Sequence, residues 1–230
     1  MKRTGRVVSL YSVFNAQALI RNSMTSALPI TDEFLVYDGK YTGFKCPCKR
    51  EHDNSCDNTL KEVERFASET GAKVTIVQTK DMPEFDKRNL MFDAVSEGDC
   101  ALIIDDDEII YGYMENVRKF ARDETAKLQF NVPMLRWRHS FTPLPRFFIK
   151  REGLRYVQMV RGSYSYEFAD SRGMIPLEDF ETLPNVRLVN LYGTYNEVGY
   201  RERERDGARS NYNELGINNK LPQGKTCNPP

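Results

Sequence analysis

Residues 101–110 read ALIIDDDEII, and this segment constrains the fold more than any other. Its apolar run leads directly into four consecutive acidic side chains, which repel one another and are costly to bury. Because a buried strand that ends in carboxylates needs a compensating positive charge, the segment indicates a hard divalent cation, Mg²⁺ or Mn²⁺. Such a cation keeps coordination positions open for phosphate oxygens. The pattern favours a metal–diphosphate site at the carboxyl end of a strand; the alternative is a solvated acidic turn.

The length and charge of the chain narrow the class of protein. We expect residues 1–215 to form a single domain, and 216–230 a flexible tail or a linker to a further domain of a multidomain polypeptide. Lys and Arg number 33 and Asp and Glu also number 33, and this zero net charge argues against a nucleic-acid partner. No segment approaches the roughly 20 apolar residues of a membrane span. We therefore predict a cytoplasmic protein whose membrane contact, if any, is peripheral.

Apolar periodicity predicts alternating strands and helices in the first half of the chain. Such alternation produces right-handed crossovers and a largely parallel sheet, so the predicted fold class is α/β with a strand-rich second half. The predicted strands are 6–12, 33–38, 73–78 and 101–105, followed by several between 127 and 192. The predicted helices are 15–27 with Asn15 as N-cap, 58–70 ended by Gly71, 84–96, 111–122 and 200–215.

Three segments together resemble a known family: DEFLVYDG (32–39), PEFDKRNLMFDAVSEGDCALIIDDDEII (83–110) and PRFFIKREGLRYV (145–157). They resemble the family 2 glycosyltransferases of the GT-A fold, especially the subgroup that includes lipopolysaccharide core glucosyltransferase-like proteins. The resemblance covers about residues 6–160. It implies a Rossmann-like, mostly parallel central sheet flanked by helices, with an acceptor side built from the second half.

The resemblance also implies roles for individual residues. Asp105 and Asp107 resemble the metal-binding pair of the DxD motif, and Asp38 resembles the acid that contacts the nucleobase. Further donor contacts are implied for the main chain around Leu10 and Tyr11, for the pair Arg88 and Asn89, and for Asp105 and Asp106.

The implied activity is a metal-dependent, inverting transfer of a hexose in glycan biosynthesis. The donor would be a nucleoside-diphosphate sugar, with UDP or dTDP favoured, and the acceptor a hydroxyl of a saccharide or glycoconjugate. Mn²⁺ or Mg²⁺, helped by a guanidinium, would offset the negative charge that grows on the departing diphosphate.

The general base is left open because the chain departs from the family pattern in two places. The subgroup often carries His-Glu after the strand that holds RYV, and here the residues are VQMVRGSYSYE. Leu191 also stands where the subgroup often has a histidine. The candidates are Asp179, which we favour, then Glu178, Glu167 and Asp170; for each of them the alternative is an ordinary surface acid.

Cys46, Cys48, His52 and Cys56 lie within eleven residues and have three possible interpretations. They could hold a structural Zn²⁺, form a disulfide among the cysteines, or remain free thiols. The spacing is not that of a standard zinc finger, and a reducing cytosol favours free thiols.

Other enzyme classes fit the sequence less well. The chain contains no Gly-x-Ser-x-Gly elbow, no P-loop and no Gly-x-Gly-x-x-Gly segment. Two alternatives remain open: a nucleotidyltransferase of related fold, and a non-catalytic nucleotide- or glycan-binding module of GT-A fold.

Overall fold

The computed structural model describes residues 2–42, 52–125, 127–136, 140–159, 166–176 and 179–190. Helices and strands alternate in the first half of the chain. The helices are α1 (Ile20–Ala27), α2 (Thr59–Thr70), α3 (Glu84–Asp93) and α4 (Met114–Arg122). The strands are β1 (Val7–Val13), β2 (Glu33–Asp38), β3 (Val74–Gln78), β4 (Cys100–Asp105), β5 (Glu108–Gly112), β6 (Gln129–Arg136), β7 (Ser140–Ile149), β8 (Arg155–Met159), β9 (Tyr166–Asp170), β10 (Gly173–Met174), β11 (Glu181–Thr182) and β12 (Val186–Asn190).

The main sheet has the strand order β3-β2-β1-β4-β7-β6-β12-β5, with β11 paired beside β6. Its first four strands are all parallel, as the strand–helix alternation predicts. Strand β7 then runs antiparallel to both β4 and β6. Strands β8, β9 and β10 form a second, smaller sheet. The predicted α/β class with a strand-rich second half is confirmed.

Apolar side chains cover both faces of the main sheet. On one face Tyr11, Phe34 and Phe66 pack together, with α1 and α2 closing that layer. On the other face Phe92 from α3 meets Phe148 from β7. Burial of such side chains supplies about 2 to 3 kcal/mol each, so the two layers hold the sheet between them.

Two predicted helix starts are wrong for identifiable reasons, and the helix predicted over 84–96 ends earlier, at Asp93. Helix α1 begins at Ile20, because Asn15 adopts a left-handed backbone (φ 53°) and its side-chain oxygen accepts the main-chain N–H of Cys56 at 2.8 Å. Asn15 therefore joins two loops and does not cap a helix. Helix α4 begins at Met114, because residues 108–112 pair with β12 as a strand. Helix α2 and its left-handed Gly71 are as predicted, while the predicted helix 200–215 lies outside the described residues.

Strands β4 and β5 are joined by only two residues, yet three other strands separate them in the sheet. In a flat sheet four strand spacings would set them about 19 Å apart. The chain from Asp105 to Glu108 spans at most about 11 Å. The sheet must therefore curl back on itself, and the acidic segment of the sequence lies where β4 and β5 approach each other.

None of the helices in the described part of the chain is both long enough and apolar enough to cross a lipid bilayer.

We expect Gly112→Ala to destabilise the protein much more than Gly71→Ala. Both glycines have positive φ, but a Cβ on Gly112 would lie 2.0 Å from the main-chain oxygen of Asn185, whereas nothing stands within 4 Å of one on Gly71. The Gly71 change should lower the free energy of unfolding by about 1 kcal/mol and the Gly112 change by about 3 kcal/mol or more. Urea denaturation measures both values, and equal losses would contradict the tight β5–β12 contact.

Candidate active site

The acidic residues predicted to act together lie at the same edge of the main sheet. Strand β1 runs between β2 and β4, and near its end Val13 pairs with Asp38 while Ser12 pairs with Asp105. All three strands are parallel, so their carboxyl ends meet at this edge. The structure thus brings Asp38 and Asp105 to opposite sides of the end of β1.

Asp105 lies between two arginines. Its Oδ1 accepts a hydrogen bond from Arg88 Nη2 at 3.3 Å, and its Oδ2 lies 3.8 Å from Arg146 Nη2. Burial acts to raise the pKa of Asp105, but the charges of Arg88 and Arg146 outweigh it and hold that pKa below its ordinary value. The side chain keeps 30% of its surface exposed, so an ionised carboxylate faces the edge of the sheet.

Glu108, by contrast, is an interior residue. It has 1% of its surface exposed, its Oε1 accepts from Arg146 Nη2 at 2.5 Å, and its Oε2 accepts the main-chain N–H of Asp105 at 3.0 Å. Burial raises the pKa of Glu108 to about 7, although Arg146 opposes this shift. The sequence placed Glu108 in the acidic tetrad, but its contacts make it the internal anchor of the turn.

Asp106 and Asp107 form the turn between Asp105 and Glu108, and both are largely buried. Within the described residues no three His, Cys, Asp or Glu side chains are grouped to hold a metal ion. Two carboxylates nevertheless match the chemistry of Mg²⁺ or Mn²⁺, which protein sites often bind through one or two carboxylates plus phosphate and water oxygens. The assignment of Asp105 and Asp107 as the residues that would hold such an ion stays a prediction.

Asp38 is fully buried under a loop that the sequence did not connect with it. Its carboxylate accepts the main-chain N–H of Ser55 at 3.1 Å and the Ser55 hydroxyl at 2.5 Å. Burial raises the pKa of Asp38, while Ser55 and the charge of Lys87 act in the opposite direction. A nucleobase could take the place of the Ser55 hydroxyl as a donor to Asp38, and this contact stays a prediction.

The loop that carries Ser55 also covers the end of β1. The main-chain N–H of Asn15 donates to Ser55 Oγ at 2.8 Å, and that of Ala16 donates to Thr59 Oγ1 at 2.6 Å. Side-chain acceptors on this loop, which follows β2, thus satisfy main-chain donors that the β-ladder leaves unpaired.

Cys56, in the same loop, is disulfide-bonded. For Cys56 the structure therefore contradicts the free-thiol interpretation that we favoured, and it gives no support to zinc coordination. His52 is exposed, and Cys46 and Cys48 lie outside the described residues.

Three consecutive residues of α3 reach three different strands. Lys87 Nζ donates to the main-chain oxygen of Gly39, just after β2, at 2.5 Å, and Arg88 bonds Asp105 at the end of β4. Asn89 exchanges two hydrogen bonds with the main chain of Tyr156 in β8, at 2.7 and 2.9 Å. Successive helical residues point about 100° apart, which allows this divergence.

Arg88 and Asn89 were predicted to contact the donor together, but their side chains bind different parts of the fold. Arg88 contacts the acidic turn, whereas both polar atoms of the Asn89 amide are hydrogen-bonded to β8 and hold α3 against that strand. A contact between Asn89 and a nucleotide stays a prediction. Lys87 was not among the site residues predicted from the sequence. Its position four residues before Met91 could have indicated that it lies on the buried face of the helix.

Leu10 and Tyr11 are core residues with 1% and 0% of their surface exposed. Both lie within β1, which is paired to strands on both sides, and the Tyr11 hydroxyl lies 3.2 Å from Ser23 Oγ. A role of their main chain beside the nucleobase stays a prediction.

The candidate bases are not brought to the acidic turn where the structure describes them. Asp179 is exposed, and its main-chain oxygen accepts from Gln129, whose strand partner Phe148 pairs with Ala101. Ala101 precedes Asp105 by four residues, or about 13 Å along β4.

Asp170 is paired with Arg151 and Arg172, and these contacts hold its pKa below the ordinary value although burial acts to raise it. Such a carboxylate is a poor base. Glu178 and the side chain of Glu167 lie outside the described parts of the chain.

We expect Arg146→Met to cost about 3 to 5 kcal/mol of unfolding free energy, because it leaves the Glu108 carboxylate buried without its partner. Arg172→Met is the matched control. It removes an arginine that is 71% exposed from an ion pair, and should cost less than about 1 kcal/mol. Thermal or urea unfolding of the two variants tests this. Similar losses would mean that the Arg146–Glu108 pair does not anchor the turn.

Comparisons with protein-family models and with curated proteins find no match to this sequence. Among solved structures, a mannosyltransferase from Pyrobaculum calidifontis, PcManGT, in complex with GDP-Man and Mn²⁺ aligns over 94% of this chain. The TM-score is 0.56 and the sequence identity 17%, and the alignment covers 66% of that enzyme's length.

Two further structures align less well. One is the glucosyl-3-phosphoglycerate synthase of Mycobacterium tuberculosis with UDP: TM-score 0.35, 21% identity, 56% of this chain and 43% of that one. The other is GalNAc-T7 with UDP, GalNAc and Mn²⁺: TM-score 0.44, 9% identity, 84% of this chain and 44% of that one. The fold assignment rests on the first neighbour alone. The central sheet, its flanking helices and the strand-rich second half are those of a GT-A glycosyltransferase fold.

Proposed function

We propose that this protein is a metal-dependent glycosyltransferase that moves a sugar from a nucleoside-diphosphate sugar to a hydroxyl of a glycan or glycoconjugate. The observation that carries the proposal is the acidic turn after β4, whose partly exposed carboxylate, Asp105, lies beside two arginines at the sheet edge that also holds Asp38. The GT-A fold and the ligands of the mannosyltransferase neighbour, GDP-Man and Mn²⁺, support the same proposal. Membership of the lipopolysaccharide core glucosyltransferase-like subgroup is likewise a proposal, which the sequence resemblance supports.

The two ends of the donor would bind to different strands. Asp38 lies at the end of β2, on the side proposed for the nucleobase, and an N–H of the base would replace the Ser55 hydroxyl as its donor. Asp105 lies across the end of β1, on the side proposed for the diphosphate. We propose UDP or dTDP as the nucleotide.

Charge at the acidic turn suits a departing diphosphate. Mn²⁺ or Mg²⁺ held by Asp105 and Asp107 would neutralise part of the phosphate charge when bound. The guanidinium groups of Arg88 and Arg146 lie next to Asp105 and add fixed positive charge at the same place. Because neither arginine has to leave water when the reaction occurs, this charge is preorganised.

The proposed reaction is a single inverting displacement. An acceptor oxygen forms a bond to the anomeric carbon while the bond from that carbon to the diphosphate oxygen breaks. The acceptor hydroxyl gives its proton to a general base, and the nucleoside diphosphate leaves with the bonding electron pair. Asp179 stays the base favoured from sequence. Its main chain lies near the level of Ala101 in the sheet, and the four-residue separation of Ala101 from Asp105 does not support this role.

A second candidate function is a nucleotide- or glycan-binding module without catalysis. It is favoured by one observation: neither Asp179 nor Asp170, the candidate bases whose positions the structure describes, lies at the acidic turn. Binding without turnover over a broad donor panel would support this function.

We expect calorimetric titration to show Mn²⁺-dependent binding of one nucleoside diphosphate from a panel of UDP, dTDP, GDP and CDP. The double variant Asp105→Asn, Asp107→Asn should lose the Mn²⁺ dependence and at least tenfold in affinity, or about 1.4 kcal/mol, because the neutral amides no longer attract the cation. The control Asp86→Asn removes an exposed acid of α3 and should bind as the unchanged protein does. Full turnover by the double variant, or no binding of any nucleotide by the folded protein, would refute the proposal.

A further inference from the structure

Lys87 is a buried lysine that the proposed chemistry does not use. None of its surface is exposed, although it lies on a helix whose neighbouring residues Phe85 and Leu90 are 45% and 41% exposed. Lysine is almost never fully buried unless its ammonium has partners. The groups that contact the Lys87 ammonium must therefore offset the cost of burying it.

Within the described residues, the contacts of the Lys87 ammonium are with the turn that follows β2. Nζ donates to the main-chain oxygen of Gly39 at 2.5 Å and lies 5.2 Å from the centre of the Tyr41 ring. The positive charge also acts on the Asp38 carboxylate and favours its ionised form. Burial lowers the pKa of Lys87 to about 7; the charges of Asp38 and Asp106 act to raise it, and that of Arg88 acts to lower it further.

Hydrogen bonds from other parts of the chain also hold the turn after β2. The main-chain oxygen of Asp38 accepts from the N–H of Thr79 at 2.8 Å, and the N–H of Lys40 donates to the oxygen of Asp53 at 2.8 Å. A Cβ on Gly39 would lie 2.3 Å from Thr79 Oγ1, so no larger residue fits there without a shift. Lys87 supplies the fastening from α3.

Lys87 and Arg88 are adjacent in α3 and hold opposite sides of the candidate site. Lys87 binds the turn after β2, and Arg88 binds Asp105 after β4. One helical step thus fixes the spacing between the side proposed for the nucleobase and the side proposed for the diphosphate.

We infer that Lys87 is a positioning residue that fixes the Asp38 carboxylate and thereby sets which nucleobase the site accepts. This inference rests on the proposed function. When an N–H of the base replaces the Ser55 hydroxyl as a donor to Asp38, the hydrogen bond from Lys87 to Gly39 still holds the turn that directly follows this carboxylate. Without it, a correctly paired base gains less over an incorrect one.

The test compares base discrimination with phosphate binding in Lys87→Met. The probes are UDP, dTDP, GDP and CDP, titrated with Mn²⁺, and inorganic pyrophosphate, which reports on the diphosphate side alone. We expect the ratio of dissociation constants between the second-best and the best nucleotide to fall by about tenfold, the value of one misplaced hydrogen bond. Affinity for pyrophosphate should remain that of the unchanged protein.

Lys150→Met is the matched control, because it removes a largely buried lysine that pairs with Asp93 and has no contact with the turn after β2. It should leave discrimination unchanged. If the unchanged protein discriminates among the bases and Lys87→Met discriminates equally well, the inference is overturned while the proposed function stands. If the unchanged protein binds none of the nucleotides, both are overturned.

A second comparison serves if Lys87→Met does not fold. Asp38→Asn alone should lower discrimination by about tenfold without abolishing it, and Lys87→Met added to Asp38→Asn keeps the site neutral while removing the ammonium. Because Lys87 is inferred to act through Asp38, the double variant should discriminate no worse than Asp38→Asn. A further loss in the double variant would show that Lys87 acts by another route.

Discussion

Carboxylates at the turn between β4 and β5 create the electrostatic problem that the surrounding structure answers. Glu108 is almost completely buried, and an isolated carboxylate there would cost several kcal/mol. Arg146 reaches it from β7, and Arg88 reaches Asp105 from α3, so two arginines from distant parts of the sequence converge on one turn. These ion pairs join α3, β4, β5 and β7 at one turn.

The parts of the structure that follow from local pattern could be predicted. Alternating apolar segments predict the parallel half of the sheet, and Gly71 predicts the end of α2. The proximity of Asp38 and Asp105 was also within reach, because both end strands of a parallel sheet and such ends share an edge. No partner had to be known for any of these inferences.

The parts that depend on distant partners could not be predicted. Nothing local distinguishes Glu108 from its acidic neighbours; only the position of Arg146, 38 residues later, makes it an interior residue. The Ser55–Asp38 contact likewise joins residues of a loop whose path the sequence does not indicate. Residues 108–112 form a strand because β12, far along the chain, pairs with them.

The two-residue link between β4 and β5 closes a ring of five strands: β4, β7, β6, β12 and β5. In such a ring the hydrogen-bonded ladders set the spacing between neighbouring strands, and the β4–β5 link is covalent, so the strands cannot move apart independently. Any change in the separation of Asp105 and Glu108 must therefore appear as sliding in one of the ladders. Within the described residues, β12 and β6 share two register pairs, Leu188 with Met134 and Val189 with Leu135, the fewest of the four ladders in this ring. The main chain alone therefore connects the acidic turn with this seam, in one direction through β5 and β12 and in the other through β4, β7 and β6.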